Sequence, residues 1–324
     1  MPSPSHRLAR ARELESLVRQ IAHEVMLPRF LKSTRSIKAD GTLFTEADVE
    51  SQRRTADIQP LPVWNEILPP AARTPRQQMI DAANGYFETL QLNDGTLFTE
   101  ADVESQRRFA EELPKLLPGA VLGEEMSDEE QQTLWDNGHT GLWCIDPIDG
   151  TTNFANGIPI FAISIAYLVD HKPYIGVVYN PMTGEAFVAA DGAGAYVNQQ
   201  ALPLRPPAAC LKEAVAGIDF KRLTKTLGHY LSTEPPYFSQ RNFGSSALEW
   251  CFVAAGRLDV YIHGGQKLWD FAAGSLILAE TRGKSMALDG EPLMNGPSQK
   301  RAVIAAANGE LFDAWRRWIE AHMA

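Results

Sequence analysis

Hydrophobic residues recur along this chain with two different periods. Near the N-terminus, apolar side chains three or four residues apart predict an amphipathic helix over about residues 8–30: Leu14, Leu17, Val18, Ile21 and Val25. Short apolar runs bounded by turn residues predict strands at 120–123, 141–145, 161–190 (two or three strands), 214–220, 258–263 and 302–307. Helical patterns lie among them, at 109–117, 246–255, 271–281 and the C-terminus. Because strands and helices alternate, the pattern indicates a layered mixed α/β fold.

One segment of the chain occurs twice. The sequence DGTLFTEADVESQRR is found at residues 40–54 and again, without a change, at 94–108. No third copy follows, which excludes a stacked repeat fold, since such folds need at least three units. We interpret the repeat as a local duplication that flanks an inserted segment, residues 55–93, with an assembly artefact as the alternative. A helical pattern over 76–90 predicts a helix inside this insertion.

Composition and charge narrow the class of protein. Hydrophobic residues make up 44% of the 324 residues and charged residues 22%, as in a globular protein large enough to build its own core. The net charge of −10 argues against binding to nucleic acid or an anionic membrane, because both require a basic face. Three cysteines without a CxxC pair predict buried, reduced thiols. Neither a signal peptide nor a membrane span is predicted, so we expect a soluble cytoplasmic protein.

Carboxylates follow the predicted strands at several points. Glu124 and Glu125 come directly after the strand at 120–123, and Asp146 and Asp149 come after the strand at 141–145. Two aspartates three residues apart, across a proline turn, can direct both carboxylates at one point together with the intervening Ile148 carbonyl. Mg²⁺ prefers such oxygen ligands. Asp270 adds a further carboxylate in the second half of the chain.

The residues after Asp149 are suited to a phosphate group. Gly150 lets the backbone approach a ligand closely, and Thr151 and Thr152 can cap a helix whose first amides favour an anion. An isolated Asp-Pro or Asp-Gly pair is usually only a solvated turn. The complete octet at 146–153, placed after a buried strand, favours a site for metal and phosphate. For Glu124 and Glu125 alone, the acidic start of a helix is an equal alternative.

Four segments together resemble the inositol monophosphatase family: GEE at 123–125, DPIDGTTNF at 146–154, WDFAAG at 269–274 and the repeated DGTLFTEAD. This family belongs to a superfamily of lithium-sensitive, Mg²⁺-dependent sugar phosphatases. The resemblance implies an α/β/α/β/α sandwich and a homodimer. Residues 1–190 would form an α+β half with the metal-binding carboxylates, and 191–324 an α/β half that completes the substrate site.

The resemblance also implies roles for individual residues. Glu124, Asp146 and the Ile148 carbonyl would bind a first Mg²⁺, and Asp146, Asp149 and Asp270 a second, with Glu125 contacting the same cluster directly or through water. An aspartate of the repeat would pair with Thr151 to orient the nucleophilic water and would assist a third, weaker ion. Either Asp48 or Asp102 can supply it. We favour Asp102, because a short helix and strand connect it to Glu124.

The second half supplies residues for the substrate. Gly244, Ser245 and Ser246 precede a predicted helix, where they either donate hydrogen bonds to the substrate or simply cap the helix. His263 stands where the family has an acidic residue that contacts polyol hydroxyls, and Lys267 follows it. Either residue could be structural or solvated, but two cations at this place favour a substrate more anionic than inositol phosphate.

These observations predict an enzyme, a Mg²⁺-dependent phosphomonoesterase that hydrolyses a small polyol, sugar or inositol phosphate. The alternatives are a 3′-phosphonucleotide or sugar bisphosphate phosphatase, or a catalytically impaired homologue that binds or regulates.

Overall fold

The N-terminal part of the chain is a long helix followed by short strands. The computed structural model describes residues 2–30, 33–34, 87–91, 97–124, 126–297 and 300–323. Helix α1 (Pro4–Ile21) begins after Ser3, whose side chain accepts the His6 N–H, and continues into a π-helical turn, Ala22–Met26. A small sheet and a second helix follow: β1 (Ser33–Thr34), β2 (Phe87–Gln91), β3 (Leu97–Thr99) and α2 (Glu100–Leu116).

The helix predicted inside the insertion is wrong where it can be checked. Residues 87–90 lie in β2, which pairs with β1 in parallel and with β3 in antiparallel orientation. The rest of the predicted helix, 76–86, lies outside the described residues. A helical spacing of apolar residues did not distinguish helix from strand over so short a segment.

Seven strands form the first large sheet, in the spatial order β10-β9-β8-β7-β6-β5-β4. Its neighbours pair antiparallel except for the parallel pair of β4 and β5. This part of the chain comprises β4 (Ala120–Gly123), α3 (Asp128–Asn137), β5 (Leu142–Asp149), α4 (Thr151–Ala155), β6 (Ala162–Val169), β7 (Lys172–Asn180), β8 (Glu185–Ala190), β9 (Ala195–Val197) and β10 (Gln200–Ala201). The predicted strands at 120–123, 141–145 and 161–190 are confirmed.

A second sheet has five strands in the order β12-β11-β13-β15-β14. Strand β11 pairs in parallel with β12 and β13, and β15 pairs antiparallel with β13 and β14. The elements are β11 (Val215–Asp219), α5 (Lys225–Thr233), β12 (Ser239–Arg241), α6 (Ser246–Ala254), β13 (Val260–Gln266), α7 (Leu268–Glu280), β14 (Lys284–Ala287), β15 (Arg301–Ala306) and α8 (Gly309–His322).

Helices cover the two sheets and separate them. Helices α1 and α2 pack on the outer face of the first sheet, α6 and α7 lie between the sheets, and α5 and α8 pack at the outer face of the second. The central layer is the most apolar, since Trp250, Phe271 and Ile277 are fully buried there. These layers confirm the expected α/β/α/β/α sandwich. The first sheet extends to Ala201, eleven residues past the expected boundary between the two halves at 190.

The cysteines and the membrane expectation can also be compared with the structure. Cys144 and Cys251 are buried free thiols, as expected, but Cys210 is exposed, so the prediction of buried thiols is wrong for that residue. Among the described helices, none combines the length and the apolar character needed to cross a bilayer.

Candidate active site

Three carboxylates meet where strand β5 ends and helix α7 begins. Asp146 and Asp149 lie in the last residues of β5, and Asp270 lies in the first turn of α7. One carboxylate oxygen from each lies within 4.8 Å of the others. The pairing of β5 with β6 shifts register between Asp146 and Asp149, so both side chains reach the same side of the strand end. Sequence spacing predicted this convergence for the first two, and the fold adds the third.

Asp149 is held by the start of helix α6. The Ser245 hydroxyl donates to Oδ2 of Asp149, the Ala247 N–H donates to the same oxygen at 2.9 Å, and the Ser246 N–H donates to Oδ1 at 3.1 Å. A carboxylate at a helix N-terminus satisfies amides that have no partner within the helix. Ser245 and Ser246 therefore orient a carboxylate of the cluster, and their predicted contact with a substrate stays a prediction.

Asp270 and its neighbours are fixed in a similar way. The Lys267 N–H donates to Oδ2 of Asp270 at 2.9 Å, which caps helix α7. The Ser164 hydroxyl in β6 donates to the Trp269 carbonyl at 3.0 Å and so ties the start of α7 to the first sheet. Ser164 is a positioning residue that sequence reasoning missed, because no motif marks it.

Burial makes the negative charge of this cluster costly. It raises the pKa of Asp149 to about 7, with the Asp270 carboxylate adding to the effect. Burial also raises the pKa of Asp146 well above its usual value, and the nearby carboxylates of Glu124, Asp149 and Asp270 raise it further. The pKa of Asp270 is raised by burial as well. A divalent cation among these groups would reverse this penalty.

The cluster fits a hard cation by its donor atoms. Within the described part of the chain, Oδ1 of Asp146 is buried and has no hydrogen-bond partner. A buried carboxylate oxygen without a donor is unfavourable unless an ion occupies that side. Oxygen-only donors are the ligands that Mg²⁺ takes. Asp146, Asp149 and Asp270 could therefore hold Mg²⁺ together, and the nearby Glu124 carboxylate could add to them.

The turn between β5 and α4 brings further groups to the cluster. Gly150 has a φ of 92°, and a Cβ there would lie 3.0 Å from the Gly244 carbonyl oxygen, so glycine is required for both conformation and space. The Thr151 hydroxyl donates to the Ile148 carbonyl at 3.0 Å. Asn153, which sequence reasoning did not single out, donates to the Ile160 and Phe243 carbonyls at 2.7 Å and joins this turn to the loop before α6.

Glu124 and Asp102 lie near the cluster. Each carboxylate lies near enough to Asp146 to raise the pKa of that group. Asp102 is fully buried in α2, in the second copy of the repeat. The buried Gln131 side chain donates to the Gly123 and Glu124 carbonyls at 3.0 and 3.2 Å and so fixes the turn that carries Glu124.

Two of the predicted site residues, Asp48 and Glu125, lie outside the described residues.

Most of the predicted site residues line one cavity of about 690 Å³, within the usual range for small-molecule sites. The lining includes Glu124, Asp146, Ile148, Asp149, Gly150, Thr151, Thr152, Gly244, Ser245, Ser246, His263, Lys267 and Asp270. Asp102 is not among the residues that line it. The arrangement combines clustered carboxylates for a cation with hydroxyl and amide groups beside them.

Both ring nitrogens of His263 make contacts within the protein. His263 is 3% exposed, and its Nδ1 accepts the Gly265 N–H at 3.1 Å. The hydrogen of the ring is then on Nε2, which lies 2.9 Å from Oδ2 of Asp219. His263 therefore holds Asp219 from one ring nitrogen and accepts a backbone amide with the other, and its predicted contact with a substrate stays a prediction.

Comparison with known proteins identifies the family. Residues 66–323 match the inositol monophosphatase family. The chain belongs to that family. It is 33% identical over 239 residues to inositol-1-monophosphatase of Bacillus subtilis, an alignment that covers 71% of this chain and 88% of that protein. It is 34% identical over 230 residues to Nus factor SuhB of Pasteurella multocida, covering 68% and 84%.

A solved structure shows the same fold. An inositol monophosphatase/NADP phosphatase complexed with Mg²⁺ and phosphate superimposes with a TM-score of 0.62 at 25% identity, over 71% of this chain and 85% of that one. The family expected from the sequence motifs is thus confirmed, and so is the enzyme class, that of phosphoric monoester hydrolases.

Proposed function

We propose that this protein is a Mg²⁺-dependent phosphomonoesterase that hydrolyses a small polyol, sugar or inositol phosphate. The observation that supports this most is the cluster of Asp146, Asp149 and Asp270, whose oxygens lie within 4.8 Å of one another in the cavity. A similar structure with Mg²⁺ and phosphate bound supports the choice of metal. Glu124 and the Ile148 carbonyl would complete the ligand set.

The residues of this chain prepare the site in a definite way. Ser245 and the first amides of α6 hold the Asp149 carboxylate, and the Lys267 N–H holds that of Asp270, so both groups are oriented before substrate binds. When bound there, Mg²⁺ would neutralise the phosphate and lower the pKa of a water molecule to make it a nucleophile.

Thr151 and Asp102 would orient the attacking water. The Thr151 hydroxyl donates a hydrogen bond to the Ile148 carbonyl. The lone pairs of the Thr151 oxygen therefore remain to accept a hydrogen bond from water. A relay from Asp102 through Thr151 requires that hydroxyl hydrogen to turn from Ile148 towards the Asp102 carboxylate. The relay is therefore part of the proposal, and substitution of Asp102 tests it.

A panel of phosphorylated metabolites tests the function. Purified protein is incubated with polyol, sugar, inositol and nucleotide phosphates, with Mg²⁺ or with EDTA, and inorganic phosphate is measured. We expect release from at least one small phosphate ester with Mg²⁺ and none with EDTA. A folded protein that binds Mg²⁺ but releases phosphate from none of them would instead support the binding or regulatory alternative.

A further inference from the structure

One part of the cavity lining, the cationic wall, carries positive side chains. The cationic side chains come from the turn after β11, the residue before α7 and the segment before β15: Lys221, Arg222, Lys267 and Lys300. Only Lys267 was singled out from the sequence. The other three are separated from it by dozens of residues, and the fold brings them to one wall.

Gly264 lets one of these segments approach β13, and the residue after it, Gly265, lies beside two of the cationic side chains. A Cβ at position 264 would lie 2.0 Å from the Arg222 carbonyl oxygen, so only glycine allows the turn of Phe220–Arg222 to pack against β13. A Cβ at position 265 would lie 3.4 Å from Cδ of Arg222 and 3.7 Å from Cβ of Lys300. The Arg222 guanidinium donates from Nη1 to the Gly265 carbonyl at 2.9 Å. Arg222 and Lys300 therefore converge above Gly265.

The charges on this wall do not cancel. Two carboxylates, Asp128 and Asp219, also line it. Oδ1 of Asp128 lies 3.6 Å from Nζ of Lys267, while Asp219 accepts the Lys221 N–H at 2.8 Å and contacts Nε2 of His263 at 2.9 Å.

Among the described residues, no carboxylate lies within ion-pair distance of the side chains of Lys221, Arg222 or Lys300. Arg222 and Lys300 are also exposed to the cavity's solvent. Four cations against two carboxylates leave this wall positive.

We propose that this wall is a subsite for a second anionic group, so that the substrate is a phosphate monoester which also carries a carboxylate or another phosphate. The inference rests on the proposed function, since it takes the first phosphate to bind at the carboxylate cluster. Arg222 suits this role because its planar guanidinium can donate two parallel hydrogen bonds to a carboxylate or phosphate, and Lys300 adds a point charge. A neutral polyol would use neither.

Two matched substrate pairs separate the possible anions. Glycerol 2-phosphate and 2-phosphoglycerate differ by one carboxylate, and inositol 1-phosphate and inositol 1,4-bisphosphate differ by one phosphate. We expect kcat/KM to be higher for the more anionic member of at least one pair by roughly 10- to 100-fold, the value of a charge-assisted hydrogen bond. The pair that shows the preference identifies the anion. Equal or reversed values in both pairs would overturn the proposal.

Substitutions assign the preference to the wall. Arg222→Gln and Lys300→Gln should each bring the ratio within the preferred pair towards one, mainly through a higher KM for the more anionic member. Arg317→Gln, exposed on α8 and not among the residues that line the cavity, is the matched control and should keep the wild-type ratio. Because Arg222 also bonds to Gly265, Lys300→Gln keeps the test valid if Arg222→Gln fails to fold. An unchanged ratio in folded Arg222→Gln and Lys300→Gln would exclude the wall as the source of the preference.

Binding without turnover separates this inference from the proposed function. Phosphonates have a C–P bond that hydrolysis does not break, and 3-phosphonopropionate and 3-hydroxypropylphosphonate again differ by one carboxylate. Calorimetric titration with Mg²⁺ present should show tighter binding of the former, with the difference lost in Lys300→Gln, if the anion is a carboxylate. A phosphonate preference without hydrolysis of any ester would retain the subsite and reject the phosphatase. Hydrolysis of an ester without a preference in any of these comparisons would retain the phosphatase and reject the subsite.

Discussion

The hydroxyl of Ser245 donates a hydrogen bond to the carboxylate of Asp149, which joins the end of the first sheet to the helix layer between the sheets. Residues 96 positions apart in the chain are thus in direct contact at the centre of the site. The amides of Ser246 and Ala247 bind the same carboxylate. Asp149 is therefore both a candidate metal ligand and the cap of helix α6.

Substitution of Ser245 should weaken the site without unfolding the protein. Ser245→Ala removes one of three donors to Asp149, and loss of a group that orients a metal ligand typically costs 10–100-fold in metal affinity or activity. We expect the Mg²⁺ concentration for half-maximal activity to rise, or kcat to fall, within about that range. Ser232→Ala, exposed on α5, is the control. An unchanged Mg²⁺ dependence in Ser245→Ala would show that the two amides suffice.

The order of thermal stability of the wild type and Asp146→Asn should reverse when Mg²⁺ is added. Without Mg²⁺, Asp146→Asn should unfold at the same or a higher temperature than the wild type, because burial and the neighbouring carboxylates disfavour the ionised form of Asp146 and an amide does not ionise. With Mg²⁺ in excess, only the wild type should gain stability, since an ion that binds the folded state raises its melting temperature. Melting curves with EDTA and with Mg²⁺ check this. Equal gains by both proteins would argue against Asp146 as a ligand.

The two copies of the repeat should differ in function. Asp102 is fully buried and close enough to Asp146 to influence its pKa, so Asp102→Asn should lower kcat by roughly 10²- to 10⁴-fold, as for loss of general-base assistance. Asp48→Asn, the same change in the other copy, should have little effect. Steady-state kinetics of the two variants decide the matter. A dead Asp48→Asn beside an active Asp102→Asn would reverse the assignment of the copies.

Removing the insertion tests whether folding and activity require it. Deletion of residues 55–108 fuses Arg54 to Phe109 and leaves one uninterrupted copy of the repeat. A long surface insertion costs little closure entropy, so we expect the deletion variant to fold and to retain activity. Circular dichroism and phosphate release measure both properties. Loss of folding would show that residues 55–93 belong to the core.

Glu249 should make stability decrease with rising pH. It is 1% exposed, and burial raises its pKa to about 8 from an ordinary value of 4.5, with Asp149 and Asp219 adding their charges and the Phe243 N–H and Tyr261 hydroxyl opposing the shift. The folded state therefore holds this proton up to about pH 8, whereas the unfolded chain releases it near pH 4.5. Stability from this group is present below pH 4.5 and is lost as the pH rises to 8.

Glu249→Gln should remove this part of the pH dependence. The amide oxygen can still accept the Phe243 N–H, which donates to Oε1 at 2.8 Å. Between pH 5 and 8.5, the unfolding free energy of the wild type should fall by about 3–5 kcal/mol more than that of the variant, measured by urea denaturation with EDTA present. The aspartates of the cluster titrate in both proteins, so their contributions to the pH dependence of the unfolding free energy cancel in this difference. Glu310→Gln, in the exposed first turn of α8, should behave as the wild type, and equal slopes in Glu249→Gln and wild type would contradict the prediction.

Local spacing predicted the elements and the motif residues that lie close in sequence. The apolar face of the C-terminal helix and the runs that became β6, β7 and β8 are periodic, and periodicity is what amphipathic burial requires. Asp146 and Asp149 are separated by a short turn, so their convergence is also a local property. The family motifs predicted that Asp270 joins these two aspartates, which its distance along the sequence does not indicate.

The contacts that sequence reasoning missed join distant parts of the chain. Ser164 binds the Trp269 carbonyl and Asn153 binds the Phe243 carbonyl, although neither partner is marked by a pattern. The position of His263 in the sequence suggests a substrate contact, whereas in the fold its ring nitrogens contact Asp219 and the Gly265 N–H. Such roles follow from tertiary packing and have no local signal.

Phosphate release by the wild type and by Asp270→Asn, with Mg²⁺ and with EDTA, would reveal a catalytic Mg²⁺ site at these carboxylates most directly. The substrate is the most active ester of the metabolite panel, and Asp313→Asn, exposed on α8, is the control. We expect Mg²⁺-dependent release by the wild type and Asp313→Asn, and a loss of at least about 10²-fold in folded Asp270→Asn, because loss of a residue that only orients a metal ligand already costs 10–100-fold. Near-wild-type turnover by Asp270→Asn, or wild-type turnover that EDTA leaves intact, would contradict the assignment of these carboxylates to a catalytic Mg²⁺ site.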